Sequence, residues 1–287
     1  MSVIGRVAEM WRYPVKSMAG EQLARAMIAA RGVPGDRGWA LRDETAREIR
    51  GAKKMPILMR CRARYDEEPS GDHIPRATMT FPDGSTLPTT APDVNERLSA
   101  LVGRPVTLWP LQPAEHRDHY RRGLPDHEDM ETELRQVFGR LPDEPLPDLS
   151  VVPPELFELT SPAGTYFDLA PIHLLTTSTL RTLAARNASA QFDRRRFRPN
   201  VLVETTDATA ALPEIGWCGR RLRIGEAVIA ITIPTMRCSM TTQPTDELAK
   251  DTSVLRTIVR DAHQNVGVYA TVETPGVVAL GDRVEIL

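Results

Sequence analysis

A single thiol, Cys238, stands in the stretch PTMRCSMTT, residues 234 to 242, directly behind Arg237 and at the end of an apolar run. Ser239, Thr241 and Thr242 follow it, which is the setting of a loop thiol rather than a packed one. A cationic neighbour favours the thiolate, and a thiolate acts either as a nucleophile or as a soft metal ligand. A nucleophile needs a base. His263 and His173 are the histidines to consider, and no local pattern pairs either with Cys238. Cys61 and Cys218 are distant in sequence, so the three thiols match neither a disulfide framework nor a paired zinc-binding spacing. Cys218, beside a glycine turn in WCGRRLRIG, reads as structural.

Three other places bring cations to a turn. RRRFRPN, residues 194 to 200, sets four arginines in five positions just before the apolar VLV. A solvated basic face is one reading. A nucleic-acid patch is disfavoured, because the run holds one phenylalanine, lacks a partner stripe and belongs to a chain of net charge -2. A small anionic ligand suits it better. Read as extended, the run puts Arg196 and Arg198 on one side and Phe197 on the other, and leaves Arg194 solvated. YPVKS, residues 13 to 17, is a strand end stopped by proline, with Lys16 and Ser17 just beyond, where loop donors meet ligands. GDRGW, residues 35 to 39, holds Arg37 in a glycine-flanked turn.

These groups act together only if the fold brings them to one pocket. The first hundred residues alternate short β-like runs with Gly, Pro and Asp turns, as in a small barrel or sandwich. A helix follows in APDVNERLSALVG, with Asp93 as cap. Prolines crowd residues 110 to 162, which reads as a connector with one helix near Asp129 to Gly139. IHLLTTSTLRTLAARN is a strand entering a helix capped by Thr177 or Ser178, with Leu180, Leu183 and Ala184 inward. PNVLVET, RLRIG and AVIAITI are strands, a helix runs from Ser253 to His263 behind a serine cap, and the chain closes in strands. The fold class is mostly β with a few helices (α+β). The expected organisation is a β-barrel-like domain over 1–125 and a second β-barrel domain over 126–287, with the proline-rich connector at 126–165.

Composition limits the function classes. With 41% hydrophobic and 26% charged residues the chain is an ordinary globular protein, and its net charge gives no global attraction for nucleic acid or anionic membrane. The longest apolar run, AVIAITI, is far too short to span a bilayer. A cytoplasmic protein without nucleic-acid or membrane partners is expected.

Taken in order, YPVKS, GDRGWAL, RFRPNVLVE, RCSMTT and the closing GVYATVETPGVVALGDRVEIL resemble the family with a molybdenum cofactor sulfurase C-terminal (MOSC) domain preceded by its β-barrel partner domain. The amidoxime reducing components and their bacterial counterparts are the relatives it is most similar to. The resemblance covers nearly the whole chain and is weakest from 111 to 165. It implies a molybdenum cofactor, a Mo-molybdopterin, whose metal takes one protein cysteine, here Cys238. A soft thiolate suits a metal already held by dithiolene sulfurs. It further implies pterin or phosphate contacts from Lys16, Ser17, Arg37, Arg198 and Asn200, with Thr176, Thr177, Ser178, Arg237 and Tyr269 also facing the cofactor. The implied activity is reduction of N-hydroxylated or N-oxygenated compounds, with Tyr269, Asn265 or His263 as proton sources.

The chain shows no targeting segment ahead of YPVKS and no cysteine after Cys238, so neither a membrane anchor nor an iron-sulfur domain is expected. Electrons must then come from a separate donor protein of ferredoxin, cytochrome or flavin reductase type. Two alternatives remain open: a sulfur carrier with a persulfide on Cys238, and a molybdenum cofactor carrier without turnover.

Overall fold

The computed structural model describes residues 2–71 and 73–287. It is mixed α+β, with strand (32%) outweighing helix (22%), and its centre is a closed seven-stranded barrel. Around the ring the order is Val201–Thr205, Ile172–Thr176, Asn265–Thr274, Ala227–Met236, Arg221–Ile224, Arg283–Ile286 and Ser2–Arg12. Antiparallel pairing of Ser2–Arg12 with Val201–Thr205 closes it. The first strand of the chain therefore completes a barrel whose other strands all lie beyond residue 171.

Period-two alternation builds this ring. Inward positions such as Val7, Met10, Leu174, Val203, Ile229 and Val268 form one buried cluster, and each such side chain contributes about 1.5–3 kcal/mol relative to exposure. Ile172–Thr176 and Val201–Thr205 run parallel, which requires a crossover, and helix Thr177–Arg186 lies within it. Its cap is Thr176, one residue before the expected pair: Thr176 Oγ1 accepts from Thr179 N at 3.1 Å. Leu183 is buried as expected, but Ala184 is exposed, because a single helix face meets the barrel. The helix expected to start at Ser253 is Thr252–Asp261, capped by Asp251. Strand Ala227–Met236 loses register around Pro234, which has no N–H to give, and this irregularity re-aims the chain just before Arg237 and Cys238.

The N-terminal part adds two three-stranded sheets: Glu48–Arg50, Trp39–Asp43 and Val106–Pro110, then Arg62–Tyr65, Ala77–Thr80 and Thr86–Pro88. They share a second core with Val15, Met18, Leu58 and Leu98, the last from helix Val94–Val102. Residues 13 to 19 link the two cores, and Arg25–Ile28 pairs with Gly276–Ala279.

The proline-rich stretch is more than a connector. The expected helix is present as Met130–Phe138, with Asp129 accepting from Thr132 N and Gly139 ending it. Around it the chain is packed rather than free: Tyr120, Leu159 and Tyr166 are buried against Ala40 and Ile49. Among the described residues no helix is long and apolar enough to cross a membrane.

Candidate functional site

The site starts where the first strand ends. Pro14 stops the ladder and the chain turns beneath Trp39, with Lys16 N donating to Trp39 O and Trp39 N to Pro14 O. The turn holds Ser17 at φ 74°. Its Oγ accepts from Ala52 N at 2.8 Å, and Gly51 permits this approach, since a Cβ there would lie 2.6 Å from Ser17 Oγ. Asp36 is the hub of the next layer: Oδ1 accepts from Tyr13 N at 2.8 Å, while Oδ2 accepts from Asn200 Nδ2 at 3.0 Å and pairs with Arg37. Asn200 Oδ1 accepts from His173 N at 3.1 Å. The Asn200 amide is thus spent on clamping strand ends together.

The arginine run is not extended. Asp193 Oδ1 accepts from Arg195 N and caps a short helix, Arg194–Phe197, after which Arg198 takes a left-handed conformation at φ 58°. This turn separates Arg196 from Arg198. Arg196 donates to the Gln191 and Ala249 carbonyls. Arg194, expected to be solvated, pairs with Glu9 and lies over the Trp11 ring at 3.6 Å. Arg196 and Arg198 are both buried, but Arg198 turns the other way, over the Tyr13 ring at 4.2 Å, and donates to Met18 O. Arg37 covers the same ring at 4.9 Å. Ser17, Arg37 and Arg198 all have positive φ without being glycine, a strain of about 1–3 kcal/mol each that persists only where surrounding contacts enforce it.

Cys238, half-buried, starts the 3-10 turn Ser239–Thr242, its carbonyl accepting from Thr241 N and Oγ1 at 3.2 and 3.0 Å. Arg237 before it is buried over the Phe197 ring and donates through Nη2 to Phe197 O at 2.9 Å. Arg140, from the proline-rich stretch, donates to Arg237 O, and Ser239 Oγ donates to Val137 O. Tyr269 pairs with His173 on the adjacent strand, ring centroids 5.8 Å apart. Gly267 lets His173 sit there, since a Cβ at that position, φ +79°, would meet His173 Nε2 at 2.4 Å.

Electrostatics tie these groups together. Burial lowers Arg198 to about 10, with Arg37 adding to the depression. Burial, then Arg237, keeps His173 well below the usual histidine value and hence neutral. Burial, then Asp168, pushes the Tyr269 phenol far above its ordinary value, so its hydroxyl stays protonated. Asp168 is held low despite desolvation, because Lys16 donates to it at 2.9 Å and Lys53 and Arg37 are close by. Two guanidinium donors in this neighbourhood, Arg198 Nη2 and Arg237 Nε, and one ring nitrogen, His173 Nε2, are buried with no partner. Leaving such groups unmatched costs about 1–3 kcal/mol each, more for charged ones, which marks the place where a ligand completes the structure.

The fold therefore brings Lys16, Ser17, Arg37, Arg198, Arg237, Tyr269 and Cys238 into one cradle. His263 and Asn265 lie in the turn beside it, where Gln264 O accepts from Arg237 N. Two hydroxyls are engaged elsewhere: Thr176 Oγ1 bonds Glu214 Oε2 at 2.7 Å, and Ser178 bonds Thr205 at 2.5 Å. Thr177 Oγ1 is buried and unpartnered. Sequence reasoning missed Asp168, Lys53, Tyr13 and Asp36. Asp36 stands in GDRGW beside Arg37 and was within reach of a pairing argument; loop charges such as Lys53, next to Lys54, and the isolated Asp168 belong to no motif.

A MOSC domain model matches residues 164–285, and a MOSC N-terminal beta barrel domain model matches residues 4–104. The chain belongs to the MOSC-domain proteins. No curated protein gives a significant match. Among solved structures, the YuaD protein from Bacillus subtilis aligns with 99% of this chain and 95% of its own, at 12% identity and TM-score 0.43. YiiM from Geobacillus stearothermophilus aligns at 15% identity over 41% of this chain and 54% of that one, TM-score 0.30. YiiM from Escherichia coli aligns at 16% identity over 41% and 54%, TM-score 0.29.

MOSC domains are associated with molybdenum cofactor-binding proteins. The residues here fit such a group. Among the described residues no cluster of three His, Cys, Asp or Glu could cage a metal. A metal at Cys238 must therefore bring most of its donors with it, as a dithiolene pterin does, and the unmatched guanidinium N–H groups suit an anionic phosphate.

Proposed function

We propose that this MOSC-domain protein binds the molybdenum cofactor in the cradle and reduces N-hydroxylated or N-oxygenated compounds with electrons from an external donor protein. One observation carries the reading: a lone, half-buried thiol, Cys238, stands beside buried cations whose donor atoms are unspent. Cys238 would supply the single protein ligand to the metal. Arg198, Arg37, Lys16 and Ser17 would hold the phosphate end. The bound cofactor would supply two-electron oxygen-transfer chemistry.

The overall change is balanced by two electrons and two protons, which convert an amidoxime or hydroxylamine N–O bond to amidine or amine plus water. The chain's own contribution is binding, orientation and proton placement. Tyr269 keeps its proton at Oη and so offers a donor rather than an anion. His173, neutral, fixes the strand end behind it. Tyr13 backs both Arg37 and Arg198 with its ring face, so that each cation keeps its direction after losing water.

The test is anaerobic incubation of protein made in a cofactor-producing host with an amidoxime and reduced viologen, following amidine by chromatography and metal by elemental analysis. Amidine formed in proportion to bound molybdenum supports the reading. A preparation without molybdenum but with a persulfide on Cys238 would replace it by sulfur transfer, and a loaded protein inert towards several N-oxygenated substrates would replace it by cofactor carriage.

A further inference from the structure

Beside the cradle stand two cations that form no ion pair of their own among the described residues. The turn after Arg50 has one side in the cradle, through Ala52 N on Ser17 Oγ, and its other side on the proline-rich stretch, through Lys54 on Asp126 and Glu133 at 2.8 and 2.7 Å. Segment 121 to 126 runs along this turn: Gly123 N donates to Glu48 Oε2 at 2.9 Å, and Asp126 accepts from Arg50 at 2.8 Å. Lys53 and Arg122 therefore stand on facing stretches. Arg122 is fixed by Nε donating to Leu156 O at 3.0 Å, and, unlike Arg50, Lys54 and Arg104 around them, neither has a carboxylate within ion-pair distance among the described residues.

Both groups sense the cradle. Desolvation works against the Lys53 ammonium, but Asp168 and the Cys238 sulfur hold it above its ordinary value, with Arg122 opposing them. The acids within electrostatic reach of the pair, Asp168 for both and Glu48 and Glu133 for Arg122, are each bonded more closely to another cation, Lys16, Arg50 and Lys54 respectively, so the two like charges are only partly answered and form an incomplete recognition element. Arg122, though not Lys53, also lines a neighbouring cavity of about 840 Å³, with Gly123 and Leu124 on the same wall and Asp118, Arg121 and Asp126 around it. That volume lies within the ordinary range for small-molecule sites. Leu124, 86% exposed, offers an apolar contact there.

We propose that Lys53 and Arg122 recognise an anionic group on the substrate, so that the preferred N-oxygenated substrates carry a carboxylate or similar single anion on an apolar body. This rests on the reductase reading above and narrows its substrate class. The geometry separates the pair from the phosphate-facing cations: Arg198 and Arg37 are backed by Tyr13 on the barrel side, whereas Lys53 and Arg122 come from the turn and the proline-rich stretch and are open to solvent.

The experiment compares benzamidoxime with its 4-carboxylate under reduced viologen, in wild type, Lys53→Gln and Arg122→Gln, with molybdenum content measured for each. The wild type should prefer the carboxylate in kcat/KM by about tenfold or more, the usual worth of one charge-assisted contact. Each variant should reduce that ratio towards one, mainly through KM. Arg260→Gln, an exposed arginine paired with Asp261 and outside the cavity lining, should keep the wild-type ratio. Calorimetric titration with 4-carboxybenzamidine gives a readout independent of turnover: its affinity should exceed that of benzamidine, fall about tenfold in the variants and weaken with added salt. Equal treatment of the two substrates by wild type overturns the proposal, as does a loss of molybdenum content matching the loss of rate, since the pair would then serve the cofactor. If wild type reduces neither substrate, the reductase reading fails, and the titration alone decides whether the pair binds carboxylates.

Discussion

Two regions build this cleft by opposite means. On the barrel side, Arg198 and Arg237 are buried, backed by aromatic rings and tied to carbonyls, with one donor nitrogen on each left unmatched. On the other side, the proline-rich stretch and the residues just after it supply charges that are largely exposed: Arg122 opposite Lys53, and Asp168 on Lys16. A buried cation has already lost its water, so an anion meeting it gains nearly the full charge-assisted interaction. An exposed cation trades water for the ligand and gains less. The barrel side should therefore govern retention of a tightly held group, and the proline-rich side should govern selection among ligands that come and go.

The largest effect should fall on the barrel side at the thiol. Cys238→Ala removes the only soft donor in the cradle and should abolish turnover, whereas Cys61→Ala and Cys218→Ala should retain it. Cys61 is buried in the N-terminal core, and Cys218 packs partly against the barrel core. Full activity in Cys238→Ala would sink the assignment.

Next in size is the contrast between the two sides. Arg198→Ala should lower molybdenum occupancy by about ten- to a hundredfold, as expected for about 1.5–3 kcal/mol of a charged hydrogen bond. Asp168→Asn, which loosens Lys16 and removes a negative charge beside Lys53 and Arg37, should lower it severalfold at most. Occupancy read by elemental analysis at matched expression checks both, and equal losses would erase the distinction between the sides. Arg194→Ala sharpens the result within a single run of residues. Its stack on Trp11 and its pair with Glu9 predict a loss of thermal stability with occupancy near wild type.

Much of the barrel was legible because its signals are local. Period-two alternation and turn residues marked Ile172–Thr176, Ala227–Met236 and Asn265–Thr274, and the thiol after a strand marked its own loop. Closure of the ring by Ser2–Arg12 was not legible, since its partners lie some two hundred residues away and alternation does not name a partner. The turn that separates Arg196 from Arg198 had a cue in Asp193, a good helix cap immediately before the run, which a reading based on extended alternation overrode. The proline-rich stretch was read as a connector with a single helix, near Asp129 to Gly139, because prolines suppress periodicity elsewhere in it. Arg140 within it, and Tyr166 O and Asp168 just after it, are single groups meeting distant partners, and such contacts leave no pattern in sequence.

The smallest predicted effect concerns what a dry cradle does to a histidine. His173 is buried between the Asn200 clamp and the Tyr269 ring, faces Arg237 and Arg37, and holds its proton far less readily than the ordinary value of 6.5. The native state therefore favours neutral imidazole, while the unfolded chain binds a proton once the pH falls through that value. The resulting stability is fully present above about pH 6.5 and is lost as pH falls, with a slope of at most about 1.4 kcal/mol per pH unit. His119, also lowered by burial, adds a slope of the same sign. Glu214 acts oppositely: raised above 4.5 by burial, it contributes stability at low pH that is lost as pH rises. The buried carboxylates with lowered values, Asp43 among them, act only below about pH 4. Urea unfolding of wild type and His173→Gln between pH 5 and 7.5 isolates one component of this balance. The variant should lose up to one proton's worth of slope below pH 6.5 and leave the curve above pH 7 parallel to wild type; an unchanged slope would place the titrating group elsewhere and leave His173 a packing residue alone.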